Sequence, residues 1–523
     1  MKSIKTLLAI LVLFVAFSAE LKANNINISN ISSVPGSGYV QLQFDLSWDN
    51  SWNNSINHDA AWVFFKFKDN DGTWRHLNLT NANNAIASGY AITVPADLTG
   101  AMIYRSVAGS GTVTLTGIKL GVSNLPGSFD IKGFALEMVQ IPMGDTYYLG
   151  DGIVGSFYST NTNAPFLVNS NSISLGSGAG LLYDGIAIVG ATTPLGSFPI
   201  AYNTLGSFLN LYMMKHEVSQ GAYRDFLNTL TYNQQATRTA IPPSSNGGSP
   251  AFGAGSFTYR NSVMVATPGV SNSTPAVYGC NLNNNGVFNE ANDGEWIACN
   301  ELTWSDLAAF LDWSALRPMT EMEFEKSCRG PLPAVAGENA AGITAAAAYL
   351  YPMSNSGTAN ESFTYSGSVL QANITYTSTS PSGNSPTRVG IHATAYATRI
   401  SAGAGYYGCL DLSGNIEEYT VTTGNLAGRS FTGINGDGSL NATGNADEDY
   451  WPGINGNTTN TTANTTYGGT GVTGAAGIIG RGGSAGYTGA NLNKVSYRIS
   501  PGASTTSNRA LGNISGGRGV KSF

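Results

Sequence analysis

The sequence of 523 residues is poor in charge: Asp, Glu, Lys and Arg together make up 11% of it. The net charge is -7, and lysine and arginine form no cluster, so the basic footprint that nucleic-acid binding requires is missing. We therefore expect no nucleic-acid partner. Low charge does not indicate disorder here, because 25 Tyr, 21 Phe and 8 Trp supply ample apolar area for a folded core.

Long apolar runs are also scarce. Residues 7–17 form one, directly after two lysines, and it is too short to span a bilayer as a helix, which takes about 20 residues. The small residue Ala23 follows at the distance that signal cleavage requires, so a signal peptide is predicted over 1–23. No later stretch is long and apolar enough to span. We expect an exported protein without a transmembrane segment, located outside the cell, at its surface or in a periplasm.

Cysteine is rare as well, with four in the chain. An even number of cysteines in an exported protein is typical of disulfides, because such compartments are oxidising. Cys280 and Cys299 bracket a short loop, which predicts that they pair. Cys328 and Cys409 then form the second predicted disulfide.

The first part of the chain has the alternation that is typical of β-strands. In residues 40–48 every second residue is apolar, the period of a half-buried strand. Further strands are predicted at 61–67, 73–79 and 101–105. In residues 112–122 the alternation slips by one at Gly117, which indicates a β-bulge. Because a chain of this length usually forms two or more domains, we predict an all-β, sandwich-like domain over 24–133.

Four tryptophans fall in this first domain. Trp48 and Trp62 lie on strand patterns whose core face needs large side chains, so we expect them to pack in the core. For Trp52 and Trp74 an exposed platform for a ligand is the alternative to packing.

A second domain is predicted over 137–523. Its helices are indicated by capping residues: Ser219 before one apolar face, Thr303 with Asp306 before a second, and the capping box of Thr320 with Glu323 before a third. Insertions rich in Gly, Asn, Ser and Thr are expected to form surface loops at 239–274, 355–388 and 436–473.

The segment 411–419 combines acids with a tight turn. Asp411 and Glu418 would supply carboxylate oxygens, and the carbonyls of Gly414 and Ile416 could point to the same centre. An all-oxygen set of this kind suits Ca²⁺. The alternative is a turn whose acids are merely solvated.

Five segments, taken in order, resemble the signature blocks of the formylglycine-generating enzyme or sulfatase-modifying factor family: residues 212–230, 316–330, 411–419, Arg481-Gly482-Gly483-Ser484 and 516–520. The resemblance implies a variant of the C-type lectin-like fold, and the whole chain is then α+β. It also implies a structural calcium ion bound at the positions of Asp411, Gly414, Ile416 and Glu418.

The sequence departs from the family pattern where the chemistry lies. Catalytic members carry a cysteine pair after the Arg-Gly-Gly-Ser block, whereas residues 481–518 contain no cysteine. Without thiolate ligands a copper(I) centre cannot form, so we expect no copper and no formylglycine-generating activity. Another branch holds iron through histidines, and His216 with His392 are too few for that site without carboxylate ligands. We assign no catalytic residue.

Two functions remain open from the sequence. The first is an exported, non-catalytic binding or surface-assembly protein whose ligand is a protein or glycan at the cell surface. The second is an enzyme of the same family with unidentified chemistry. The two differ in whether the cleft between the Arg481 block and the Trp304 helix holds converging titratable groups.

Overall fold

The computed structural model describes residues 25–36, 39–123, 130–152, 155–160, 162–185, 192–202, 211–253, 255–347, 352–364, 371–376, 383–394, 397–456, 463–487, 490–498, 509 and 514–523. The predicted signal peptide, residues 1–23, lies outside the described residues. Within the described ranges, no helix has both the length and the apolar character that a membrane span requires.

The chain begins with eight strands that form two sheets. Their bounds are β1 Asn27–Pro35, β2 Val40–Asn53, β3 Asp59–Lys68, β4 Trp74–Leu77, β5 Tyr90–Thr93, β6 Ala101–Arg105, β7 Gly109–Val122 and β8 Ile131–Ile141. Strands β1, β2 and β7 form one sheet, and β3 pairs with β4, β6 and β8 in the other. Apolar side chains of both sheets, including those of Leu42 of β2 and Val63 of β3, form one buried cluster. The predicted strands and their packing as N-terminal β-sheets are confirmed.

The predicted bulge lies in β7. Phe44 of β2 faces Ile118, whereas Leu46 faces Leu115. Strand β7 therefore carries one additional residue between these pairs. Gly117 has a φ of 65°, and its N–H donates to Asp45 Oδ1 at 2.8 Å. Glycine adopts this left-handed conformation without the strain that a side chain would cause.

Two of the four tryptophans of this region are core residues. Trp48 is 1% exposed and Trp62 is fully buried, as predicted. Trp52 is half-buried, with the Lys215 ammonium 5.1 Å from its ring centroid. Trp74 is also half-buried, with Lys132 at 4.7 Å.

The remaining strands are short. They are β9 Tyr147–Leu149, β10 Tyr158–Ser159, β11 Phe166–Val168, β12 Ser174–Leu175, β13 Leu182–Tyr183, β14 Thr193–Pro194, β15 Leu211–Met214, β16 Val263–Thr267, β17 Val277–Cys280, β18 Arg317–Pro318, β19 Met353–Ser354, β20 Ser362–Phe363, β21 Glu417–Val421, β22 Ile478–Arg481, β23 Ser515–Gly516 and β24 Gly519–Ser522. The helices are α1 Gln220–Leu227, α2 Tyr232–Arg238, α3 Trp304–Trp313, α4 Glu321–Arg329 and α5 Leu426–Arg429, with 3-10 turns at Ser256–Tyr259, Asn464–Tyr467 and Ala490–Asn493.

One eight-stranded sheet joins the two parts of the chain. Its order is β18-β24-β15-β8-β3-β6-β5, with β4 on β3. The predicted boundary between 133 and 137 therefore falls inside β8, which pairs with β3 on one edge and β15 on the other. Strand β8 is thus shared between the predicted N-terminal β domain and the second predicted domain.

The helix starts follow the capping chemistry. Ser219 accepts from the N–H of Ala222 at the start of α1. Thr303 and Asp306 form a capping box at α3, and Thr320 and Glu323 form one at α4. These reciprocal bonds satisfy amides that a helix start leaves unpaired.

The insertions are not uniformly loops. Residues 239–274 contain strand β16, which pairs with β17. In residues 436–473, Trp451 is fully buried, and its Nε1–H donates to the carbonyl of Ile434 at 3.0 Å. This side chain packs the polar segment 436–473 against the rest of the protein.

Candidate functional site

The five sequence blocks meet around β21. This strand pairs antiparallel with β22, where Glu418 faces Arg481, and parallel with β23, where Glu418 faces Gly516. Strand β24 lies between β15 and β18, which belong to the blocks at residues 212–230 and 316–330. Segments far apart in sequence thus form one contiguous region.

A buried ion pair lies at its centre. Arg518 donates from Nε to Glu418 Oε2 at 2.7 Å and from Nη2 to Oε1 at 2.8 Å. Both side chains are fully buried, and Nη2 also donates to the carbonyl of Leu410 at 2.7 Å. Burial raises the pKa of Glu418, and Arg518 opposes that change. A two-point contact of this kind fixes both side chains.

Glu217 connects the first block with the turn at 411–418. Its carboxylate accepts from Asn415 Nδ2 at 2.6 Å and from the N–H of Ile416 at 3.0 Å. Burial, followed by the charges of Asp411 and Glu418, raises the pKa of Glu217 well above its ordinary value. The region therefore contains more buried carboxyl groups than the positive charge of Arg518 can neutralise.

The predicted calcium ligands lie together on this turn, but their oxygens have other partners. Arg518 holds both oxygens of Glu418, and Asp411 Oδ2 accepts from the N–H of Gly390. Within the described ranges, these carboxylates are not among the groups of three acids that converge on one point. The donor chemistry fits calcium, whereas the geometry here favours arginine, so the site at Asp411, Gly414, Ile416 and Glu418 stays a prediction.

A second charged network surrounds helix α4 and includes Arg481 of the fourth sequence block. Arg498 donates to Glu321 from Nε at 2.7 Å and from Nη2 at 2.8 Å, and Arg481 contacts Glu321 at 3.1 Å. Arg481 also donates to Glu325 at 2.6 Å, which in turn contacts Arg329 at 3.2 Å. All five side chains are buried. Converging titratable groups are thus present, but they are paired with one another and closed to solvent.

The predicted disulfides are absent: all four cysteines are buried free thiols. Cys280 and Cys299 lie in the largest apolar cluster, and Cys328 and Cys409 lie together in another. Each predicted pair is therefore in one neighbourhood, but the thiols pack as small apolar groups. The cysteine count and the predicted export signal could not distinguish this from oxidation. Burial raises the pKa of Cys280 and of Cys409 to about 12.

Thiol labelling checks this finding. We expect a maleimide to modify none of the four cysteines in the folded protein, because the thiols are buried and protonated. After unfolding without reductant, mass spectrometry should count four labels. Unfolded protein that takes up labels only after reduction would contradict the free-thiol assignment.

A cavity of about 320 Å³ lies where β15 ends beside β8. Glu137 and His216 line its inner end. Glu137 Oε1 and both ring nitrogens of His216 are buried without a hydrogen-bond partner in the part of the chain that the structure describes. From the sequence, His216 was considered only as one of two histidines, which are too few for an iron site. No sequence pattern pointed to Glu137.

The other histidine of the iron hypothesis, His392, lies apart from this cavity. Its Nε2 is 3.0 Å from Thr375 Oγ1, and burial, with a smaller contribution from Arg388, lowers its pKa to about 3. In the unfolded chain this pKa is about 6.5. Below pH 6.5 the unfolded state therefore takes up a proton that the folded state excludes, and the stability contributed by neutral His392 is lost as the pH falls toward 3.

Replacing His392 by phenylalanine should remove this pH dependence. We expect the free energy of unfolding of the wild type, relative to His392→Phe, to fall by about 2–3 kcal/mol between pH 6.5 and 4.5. Urea unfolding of both proteins at each pH measures the difference. A difference that is constant with pH would show that His392 keeps its ordinary pKa.

An acidic cluster forms a second candidate metal position. Asp312 of α3, Asp437 and Glu448 place carboxylate oxygens within 4.8 Å of one another and could hold a metal ion. Asp312 also accepts from the N–H groups of Asp437 and Asp447. Burial, followed by neighbouring acids, raises the pKa of Glu448 to about 7. The sequence did not indicate this cluster, because its members come from a helix and an insertion distant along the chain.

Comparison with known families gives a match to part of the chain. The profile described as a sulfatase-modifying factor enzyme 1-like domain matches residues 185–443. This range includes the first three sequence blocks, whereas the Arg481 block and residues 516–520 lie beyond it. No curated protein matches the chain.

Proposed function

Because the chain contains a sulfatase-modifying factor enzyme 1-like domain, we propose that it is an exported binding protein that keeps this domain without oxidase chemistry. The apolar run at residues 7–17 supports export. Its partner is a protein or glycan at the cell surface.

The state of the cysteines carries this proposal. Residues 481–518 contain no cysteine, and the four thiols elsewhere are buried. Burial raises the pKa of Cys299 and Cys328 well above the ordinary value, so these sulfurs are protonated at neutral pH. Copper(I) requires soft thiolate ligands, which buried neutral thiols do not supply.

The network around α4 supports the same conclusion. An acid or base catalyst must reach the substrate directly or through one water. Glu321 and Glu325 are fully buried, and arginines hold both carboxylates. They stabilise the domain and do not face a ligand.

An aldehyde assay tests the proposal. Purified protein, copper(I), oxygen and a cysteine-containing sulfatase-type peptide should yield no formylglycine, measured as an aldehyde adduct by mass spectrometry. An active formylglycine-generating enzyme serves as the positive control. Aldehyde above a copper-only blank would overturn the proposal.

Within this function, a structural Ca²⁺ at Asp411, Gly414, Ile416 and Glu418 remains our proposal. A site of two carboxylates and two carbonyls would stabilise the folded state by about 2.7 kcal/mol when free calcium exceeds its dissociation constant a hundredfold. Chelation should then lower the melting temperature of the wild type. In Glu418→Gln, which loses a ligand charge, chelation should have no effect.

The response to chelator separates this effect from loss of the Arg518 pair, since Glu418→Gln is destabilised in either case. Wild-type protein that melts identically in calcium and in chelator, and that contains no calcium by elemental analysis, would contradict the calcium site. Arginine would then be the only cation that Glu418 binds.

A further inference from the structure

Beside the cavity, one edge of β8 has no strand partner among the described residues. Strand β15 pairs with β8 only from Met138 to Ile141, and the N–H of Lys215 donates to the carbonyl of Glu137 just beyond. Strand alternation turns the N–H and C=O of Ala135 to the same side. No strand is hydrogen-bonded to β8 there among the described residues, and Ala135 lines the cavity.

The inner end of the cavity offers hydrogen bonds that no protein group uses. Glu137 Oε2 accepts from Lys215 Nζ at 2.8 Å, but Oε1 has no partner within the described chain. His216 Nε2 is 4.0 Å from Glu137 Oε2, and neither ring nitrogen is hydrogen-bonded there. Glu137 is 6% exposed and His216 is 7% exposed. A buried polar atom without a partner is costly, so these atoms favour a ligand that supplies hydrogen bonds.

The two side chains together require both donors and acceptors. Burial, followed by the charges of Lys215, Arg518 and Arg388, lowers the pKa of His216 well below its ordinary value. Its ring is therefore neutral and offers one N–H donor and one acceptor nitrogen. Glu137 Oε1 accepts only. Hydroxyl groups satisfy this set, because each one both donates and accepts.

Charges of both signs surround the cavity. The cations near His216 disfavour a cationic ligand. Glu137 and Glu217 line the inner end and disfavour an anion. At the rim, Arg224 is paired with Asp225 at 2.9 Å and with Glu295, so it is not free to bind an anion. A neutral ligand meets neither repulsion.

Aromatic rings form another part of the cavity wall. Phe64, Phe134 and Trp313 pack together with ring centroids 4.8 to 5.3 Å apart, and all three line the cavity. The negative face of an aromatic ring attracts C–H groups that carry partial positive charge. These rings therefore suit C–H groups, whereas Glu137 and His216 suit hydroxyls.

We propose that this cavity binds the terminal residue of a neutral glycan, with sugar hydroxyls on Glu137 and His216 and its C–H face toward Phe134 and Trp313. Its volume is at the lower end of small-molecule sites, about 300–1,000 Å³, which favours one sugar residue. The inference rests on the proposed function in that the ligand is bound and not converted.

Binding is measured by saturation-transfer NMR and tryptophan fluorescence with the methyl glycosides of glucose, galactose, mannose and N-acetylglucosamine. At least one should bind the wild type. The related charged sugars, glucosamine and glucuronic acid, should bind about tenfold more weakly or not at all. Neutral oligosaccharides that end in the same residue show whether a free sugar or a glycan end is preferred.

Three variants locate the site. His216→Phe removes both ring nitrogens and should weaken binding about tenfold or more. Ala222→Trp, at a half-exposed position on the rim, should block entry without changing a buried polar group. His392→Phe alters a histidine of similar burial outside the cavity and should bind like the wild type.

The outcomes separate this inference from the proposed function. No binding of any neutral glycoside, or binding that Ala222→Trp and His216→Phe leave unchanged, would overturn the glycan site and leave water as the partner of Glu137 and His216. Mass spectrometry of the recovered sugar tests conversion. A bound sugar that is chemically altered would support the site and refute the non-catalytic function.

Discussion

Replacing Glu321 by glutamine should lower the free energy of unfolding by about 3–5 kcal/mol, because it leaves buried Arg498 without its counter-charge and Arg481 with Glu325 alone. Glu321 is fully buried and accepts hydrogen bonds from Arg498, Arg481 and the backbone of Thr423. Although burial alone would raise its pKa, Arg498 and Arg481 hold the pKa of Glu321 below its ordinary value. Its stabilising contribution is therefore present at neutral pH and is lost as the pH falls through the folded-state pKa.

Denaturant unfolding of wild type and Glu321→Gln at pH 7 measures this effect. Asp71→Asn is the matched control, because Asp71 pairs with Arg75 at 2.7 Å at the surface, where we expect no measurable change. The loss in Glu321→Gln should shrink in acid, where wild-type Glu321 is protonated too. Equal stability of all three proteins at pH 7 would mean that the network does not stabilise the fold.

Replacing Trp62 by alanine should also destabilise the protein by about 3–5 kcal/mol, through lost burial and the cavity that remains. Trp62 belongs to β3, but its Nε1–H donates to the carbonyl of Ser314 at the end of α3 at 2.8 Å. Lys521 and Phe523, from the end of the chain, contact the same ring. One side chain of the N-terminal sheet thus stabilises the second part of the chain.

The control is Trp62→Phe, which keeps most of the apolar contact and loses the hydrogen bond, with an expected effect of about 1–2 kcal/mol. Calorimetry should show one cooperative transition in the wild type, because the shared eight-stranded sheet couples both parts. If Trp62→Ala shifted only one of two separate transitions, the parts would unfold independently and the coupling would be refuted.

Local features of this fold could be predicted from the sequence. The alternation at 40–48 indicated β2, the slip at Gly117 indicated the bulge in β7, and the capping residues Thr303 and Thr320 indicated the starts of α3 and α4. Each of these features depends on residues that are close along the chain. The geometry of the local backbone decides which of their side chains share a face or reach a neighbouring N–H. The ordered blocks indicated the family domain for the same reason, since each block is itself local.

The sequence by itself therefore determined the alternating strands of the first part, the starts of three helices and the family domain, and only the tertiary structure decided their partners. Glu418 and Arg518 are 100 residues apart, so their pairing depends on how β21, β23 and β24 assemble. The continuation of β8 across the predicted domain boundary depends on β15 in the same way. Whether Cys280 and Cys299 bond or only pack is settled by distances that spacing does not encode. Local periodicity reports the burial of one face, whereas partner choice is set by close packing among segments distant along the chain.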